Sequence, residues 1–219
     1  MGKELLLEIG TEEIPAAFLP RAMADMEELI RKALNGERVK FGPVTTMATP
    51  RRLLLHVADV AVTQEDQVIE KIGPTRKAAF DEGGNPTKAA VGFARGQGID
   101  LGEIEIIATD KGEYLCARKR IAGGDVAAML PGLLAKFIMT IPFKKAMRWS
   151  NLELRFARPI HWLLALYGGE VIPVRIENIE AGNASRGHRF MSPGPFAVSD
   201  FRDYLDKARE AWVIIDPEE

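Results

Sequence analysis

The chain has 219 residues, 47% hydrophobic and 27% charged, with a formal net charge of -2. Those proportions exclude an intrinsically disordered chain, a collagen, a coiled coil and a disulfide scaffold. A chain of this length buries roughly 70% of its unfolded surface and needs no metal or disulfide to hold a core.

Leu5 to Ile9 reads as a strand ended by Gly10. Its apolar run falls far short of the ~20 residues a membrane helix needs. Thr11 to Pro15 forms a turn or helix start, with Pro15 and Pro20 suited to first-turn positions. Met23, Met26, Ile30 and Leu34 recur at helical spacing until Asn35-Gly36, so the methionines are read as core. Arg51 to Val62 is a long strand with Leu53, Leu55 and Val57 on one face and Leu54, His56 and Ala58 on the other. Both faces start apolar, which places it centrally in a sheet, and His56 is read as a satisfied sheet residue.

Gly73 to Gly102 changes character, with seven glycines and two prolines. Within it Thr87 caps a short helix that Gly96 or Gly98 ends. Glu103–Thr109 and Glu113–Ile121 form a hairpin around Asp110-Lys111-Gly112. Cys116 in its second strand is read as a small buried hydrophobe. As a single cysteine it can form no internal disulfide, and with no signal peptide this points to a reducing cytoplasm.

Asp125 caps a helix through about Met139, which Pro131 kinks or truly starts and Pro142 ends. Ile160–Tyr167, Gly168-Gly169 and Glu170–Ile176 form a second hairpin, its return strand marked as an edge by Pro173. Asp200–Trp212 is a last helix, and Val213–Ile215 a possible strand. The sequence stops directly after that apolar run, as the N-terminal piece of a longer protein would. The mixed order of hairpins and helices predicts an α+β fold: a mixed or antiparallel sheet with packed helices. Residues 1–72 and 103–219 are expected as one α+β domain, and 73–102 as a small Gly-rich helical insertion or subdomain.

Charge is unevenly placed. Residues 1–28 carry seven acids against two bases, and residues 200–219 seven against three, leaving +7 for residues 29–199. The densest basic stretch holds Lys144, Lys145, Arg148, Arg155 and Arg158 against Glu153 alone. Arg186, His188 and Arg189 form a second group, and Arg51 and Arg52 a third. Trp149, Phe156, Trp162 and Phe190 lie among them, and such rings stack beside guanidinium groups. Arg suits phosphate because its planar fork donates bidentately. These ten basic residues are the candidate polyanion contacts, although Arg51 and Arg158 are also expected to hold loops through internal pairs.

Catalytic signatures are lacking. His56, His161 and His188 have no metal-ligand spacing, and neither a phosphate-binding loop nor a dinucleotide fingerprint is present. Glu12 and Glu13 are read as helix-dipole complements rather than a catalytic acid pair. Ser185 near His188 is no better than chance as a nucleophile pair.

Leu5-Leu6-Leu7-Glu8-Ile9-Gly10-Thr11-Glu12-Glu13-Ile14-Pro15-Ala16 opens a series of motifs. Thr49-Pro50-Arg51-Arg52-Leu53 comes next, then Gly84–Ala90 with Gly92–Gly96. Ile141–Trp149, Phe156–Trp162 and Arg186–Met191 complete it. Together and in this order the motifs resemble the beta subunit of bacterial glycyl-tRNA synthetase, with Lys144 where a proline is expected and Ala157 where valine is common. The resemblance implies an N-terminal fragment of a subunit that assembles as two alpha and two beta chains. The alpha chain would hold the class II site that activates glycine with ATP and Mg, with no cofactor in this chain. The beta chain would bind tRNA(Gly), chiefly through an anticodon-binding region near its far end. This region is also similar to the editing-type module of the phenylalanyl-tRNA synthetase beta chain, without editing residues that carry across. The leading expectation is therefore a non-catalytic module for tRNA handling and assembly with the alpha subunit and the remaining beta-chain domains. A scaffold docking the alpha subunit and a tRNA-editing hydrolase are the alternatives.

Overall fold

A computed structural model describes residues 2–110, 112–148 and 155–216. The chain divides into two compact units, one of Met1–Gln64 with Gly124–Glu219 and one of Glu65–Gly123.

Strand β1 (Lys3–Thr11) leads through a 3-10 turn into helix α1 (Leu19–Gly36). Pro20 occupies its first turn, and Ala22, Met26, Ile30 and Leu34 form its buried stripe, with Met23 half-buried. Strands β2 (Val44–Thr49) and β3 (Arg52–Val60) follow. The second unit contains β4 (Gln67–Thr75), the single turn α2 (Arg76–Ala79), α3 (Lys88–Gln97), β5 (Ile104–Thr109) and β6 (Gly112–Ile121). Helix α4 (Val126–Thr140) starts at Asp125, whose carboxylate accepts from the Ala127 N–H at 3.2 Å. Pro131 is inside α4 rather than at its start. Strands β7 (Met147–Arg148) and β8 (Arg155–Phe156) make a two-residue ladder. Then come β9 (Ile160–Tyr167), β10 (Glu170–Val171), β11 (Arg175–Ile176), β12 (Ile179–Gly182), β13 (Ala184–Arg186), β14 (Pro195–Ala197) and α5 (Phe201–Glu210).

In the first unit seven of the described strands form a mixed sheet in the order β11-β12-β9-β1-β3-β2, with β10 beside β9, while β7–β8 and β13–β14 pair separately. Pairing is antiparallel except between β12 and β9. The alternation of β3 works as read, and β1 alternates in step with it. Leu5, Leu7, Ile9, Leu53, Leu55 and Val57 share a core with α1 and α4. Leu6 and Leu54 meet Tyr204 and Ala208 of α5 on the other face. The unit is α+β, a sheet between two helical layers.

Two expectations fail here. The return strand after Gly168-Gly169 (φ 58° and 82°) is only β10. Pro173 has no N–H for the ladder, and the chain leaves β9 so that β11 pairs with β12 instead. Val213–Ile215 is not a strand. The Trp212 N–H donates to Arg209 O at 3.0 Å and the Val213 N–H to Ala208 O at 2.8 Å. That paired closure of α5 turns the chain so that Ile215 packs inward.

In the second unit, β4-β6-β5 form an antiparallel sheet against α2 and α3, with Ala79, Ala90 and Leu115 at its centre. Thr87 caps α3 and Gly98 closes it. The unit is wider than residues 73–102 because the strands flanking the Gly-rich segment pair with each other. Cys116 is buried, and burial, with the Glu70 carboxylate adding to it, pushes its thiol pKa up. Lys111, at the hairpin turn, lies outside the described residues.

Candidate nucleic-acid interface

The site begins with one carboxylate in an apolar strand. Glu8 is 0% exposed, on the α5 face of β1 beside Leu54 and Leu164. A buried charge demands partners. Glu8 Oε1 accepts from Arg52 Nη1 at 3.1 Å and from the Tyr204 hydroxyl at 3.0 Å, and Oε2 accepts from Trp162 Nε1 at 3.1 Å. Arg52 also donates to Ser185 Oγ at 3.3 Å and to the Arg186 carbonyl at 2.7 Å. Further along β1, Gly10 stands between Arg52 and Trp162 in the register. With no side chain at Gly10, the indole occupies the space a Cβ there would take.

Burial works against the Arg52 charge, but Glu8 and Tyr204 outweigh it and hold the guanidinium pKa above its ordinary value. Burial, then Glu8, pushes the Tyr204 phenol up, so it remains a donor. Arg52, 3% exposed, is thus turned inward and offers nothing to a polyanion. This corrects its place among the surface candidates; the inward pairing expected of Arg51 falls on its neighbour. Arg52 instead ties β13 to β3 and so positions the loop at 186–192. Ser185, as acceptor from Arg52, belongs to the same bed.

Above that bed lies the 186–192 loop. The Arg186 guanidinium is exposed, 5.6 Å from the Trp162 ring centre. Nδ1 of His188 accepts from the Phe190 and Met191 N–H groups at 3.3 and 3.2 Å, which curls the loop. Arg189 lies 3.7 Å from Glu12 and 3.6 Å from Glu13, with His161 Nε2 3.2 Å from Glu12. Glu12 and Glu13 therefore hold side chains of the opposite strand and loop. Arg158 donates to the Glu13 and Ala157 carbonyls at 2.9 and 3.3 Å, which holds the loop through backbone carbonyls rather than through the ion pair expected of it. Arg51 is half-buried and its Nε has no partner.

Arg51, Arg52, His188 and Arg189 line one cleft of about 470 Å³ with Glu13, Phe190 and Trp212. Lys144, Lys145, Arg148 and Arg155 are not in its lining. Lys144 borders a different cleft, of about 660 Å³, with Arg21, Asp25 and Phe143. Lys145, Arg148 and Arg155 are exposed, and Arg148 faces Arg155 directly across the β7–β8 ladder. Among the described residues none of these four has a side-chain partner. Phe156 is buried rather than free to stack, and Trp149 lies outside the described residues. Nor do three His, Cys, Asp or Glu side chains gather among the described residues to hold a metal.

Sequence reasoning missed Glu8 and Trp212. The first was signalled, since a lone carboxylate amid leucines must find partners. The second was not: Trp212 has φ 62° and is 63% exposed, a conformation its residue type disfavours.

Residues 5–219 match the family model described as glycyl-tRNA synthetase beta subunit. The chain is 62% identical over its whole length to the glycine–tRNA ligase beta subunit of Syntrophus aciditrophicus (strain SB). It is 54% identical over 217 residues, 99% of the chain, to that of Geotalea daltonii (strain DSM 22248 / JCM 15807 / FRC-32). Over the same share it is 52% identical to that of Geobacter sp. (strain M21). It covers 32% of each of these relatives, about a third of their length.

Proposed function

This chain belongs to the glycyl-tRNA synthetase beta-subunit family, and on that premise we propose that it is a non-catalytic tRNA-handling module. It holds tRNA(Gly) on a guanidinium-rich surface while glycine is activated with ATP and magnesium on a separate alpha chain. The complete assembly, in this reading, has two alpha and two beta chains and works in the cytoplasm. The observation that carries it is the direct opposition of Arg148 and Arg155. Like charges across a ladder destabilise it, so an exposed pair with no side-chain partner among the described residues is most simply kept for a polyanion. Arg186, Lys144 and Lys145 add to the same field.

A likeness to the editing-type module of the phenylalanyl-tRNA synthetase beta chain belongs to this reading as a fold expectation only. The cleft's cationic and aromatic lining favours binding over hydrolysis. A second reading, a scaffold for the alpha subunit, is favoured by the exposed Val68 and Ile72 on the second unit. Capture of alpha subunit without tRNA, lost in Ile72→Ser, would support it.

The test of the first reading is a titration of tRNA(Gly) at several salt concentrations. Each phosphate contact contributes about 0.7–0.9 to the salt slope. The Arg148→Ala/Arg155→Ala variant should lose affinity and slope together. Unchanged affinity and slope would reject the reading.

A further inference from the structure

The cleft beneath the 186–192 loop combines two chemistries. Its lining includes cations: Arg51, whose buried Nε lacks a partner, and Arg189, 3.6 Å from Glu13 and 3.7 Å from Glu12. It also includes rings: Trp212, 63% exposed, and Phe190, 78% exposed with the Arg189 guanidinium 5.8 Å from its ring centre. Soluble proteins seldom leave large rings this open without use when they border a cationic cleft. Trp212 occupies the left-handed position that closes α5, where glycine is the usual residue. A bulky side chain held in that conformation is strained, and such strain gathers at binding sites. The cleft's volume of about 470 Å³ lies in the small-ligand range. A base can enter it only if it is out of a helical stack.

We propose that this cleft is a subsite for one unpaired RNA nucleotide. Its base lies against the Trp212 and Phe190 rings, and its phosphate sits between the Arg51 and Arg189 guanidiniums. Glu13 lines the cleft and Glu12 lies beside it, 3.6 and 3.7 Å from Arg189, so the incoming phosphate competes with both carboxylates for that guanidinium. The Nδ1 contacts of His188 fix the loop that presents Phe190. The inference rests on the tRNA-handling reading and deepens it by naming the ligand.

The test uses the chain titrated with a labelled single-stranded oligoribonucleotide of mixed sequence, with an RNA duplex of equal length and with adenosine 5′-monophosphate. Base–aromatic stacking contributes enough that losing it costs about tenfold or more in affinity. Trp212→Ala and Phe190→Ala should each weaken single-strand binding about tenfold and lower the preference over duplex. Trp212→Phe should retain most of the affinity. Trp212→Gly should melt at or above the wild-type temperature, because the backbone strain is relieved, yet bind as poorly as Trp212→Ala. Arg51→Ala/Arg189→Ala should reduce the salt slope. Wild-type single-strand affinity in both Trp212→Ala and Phe190→Ala would overturn the subsite. So would adenosine 5′-monophosphate binding as tightly as the oligonucleotide, which would assign the cleft to a free mononucleotide. If the subsite alone is wrong, tRNA(Gly) binding still responds to Arg148→Ala/Arg155→Ala. If the tRNA-handling reading is wrong, that response is missing too.

Discussion

The Trp162 indole occupies the space that a side chain at Gly10 would need. The two residues face each other across β9 and β1, and a Cβ at Gly10 would overlap the ring. The ring cannot swing aside freely, because its Nε1 is held by Glu8 at 3.1 Å. Gly10→Ala should therefore destabilise the fold by about 1–3 kcal/mol or more, the usual range for overpacking. Denaturant midpoints would measure it. Gly10→Ala/Trp162→Ala should cost less than the sum of its parts, since the second change vacates the contested volume. Strict additivity would show that the ring is not what Gly10 accommodates.

Glu8 and Arg52 make a second prediction. With side chains 0% and 4% exposed, neither has water to fall back on. Removing one partner of a buried pair costs about 3–5 kcal/mol, because the other charge stays behind unpaired. Arg52→Ala and Glu8→Ala should each fall in that range by urea titration. Glu8→Ala also strands the Trp162 and Tyr204 donors, so it should be the worse of the two. Losses under about 1 kcal/mol would mean that water reaches the pair.

Much of this fold was legible because its patterns were periodic. Met26, Ile30 and Leu34 mark one face of α1, and Leu53, Leu55 and Val57 one face of β3, whatever surrounds them. What failed depended on partners. Val213–Ile215 has strand-like residues, but the closure of α5 sends it where no described strand awaits it. Arg51 and Arg52 are adjacent and chemically equal, and only where β3 begins, with Arg51 left in the turn before it, decides which one meets Glu8. The charge excess at 144–155 was plain from composition, while the cleft joins Glu13, Arg51, Arg189 and Trp212 from four distant segments. No local signal announces such a meeting.

His56 supplies a pH dependence. Its ring stacks on Phe201 at 4.0 Å and its Nε2 is 3.4 Å from Glu4 Oε2. Burial outweighs the attraction of Glu4 and lowers its pKa from the ordinary 6.5. The native state thus binds fewer protons here than the unfolded chain. The stabilisation is present above pH 6.5 and is lost as pH falls through the depressed native value. Asp66, Asp81 and Asp203 are shifted below 3.8, by hydrogen bonds in each case, so their contribution is lost only in stronger acid. Urea midpoints should drop between about pH 7 and 5 in the wild type, and less in His56→Phe, which keeps a ring on Phe201. Equal slopes in the two proteins would remove His56 as the cause.

Arg148 and Arg155 give the last prediction, in which stability and binding move in opposite directions. Directly opposed residues on a two-residue ladder feel each other strongly, and opposite charges there contribute roughly 0.2–1 kcal/mol while like charges oppose pairing. Arg155→Glu replaces repulsion with attraction and should leave the chain as stable as wild type or up to about 1 kcal/mol more so. The same change puts a negative charge on the proposed tRNA surface. Binding of tRNA(Gly) should weaken, with the salt slope reduced by at least the ~0.7–0.9 of one lost phosphate contact. Arg155→Gln separates the two effects, since it relieves the repulsion without adding an acid and should lie between wild type and Arg155→Glu on both axes. A variant that gains stability and also keeps wild-type affinity would show that the paired guanidiniums serve no polyanion, and that the repulsion between them is simply tolerated.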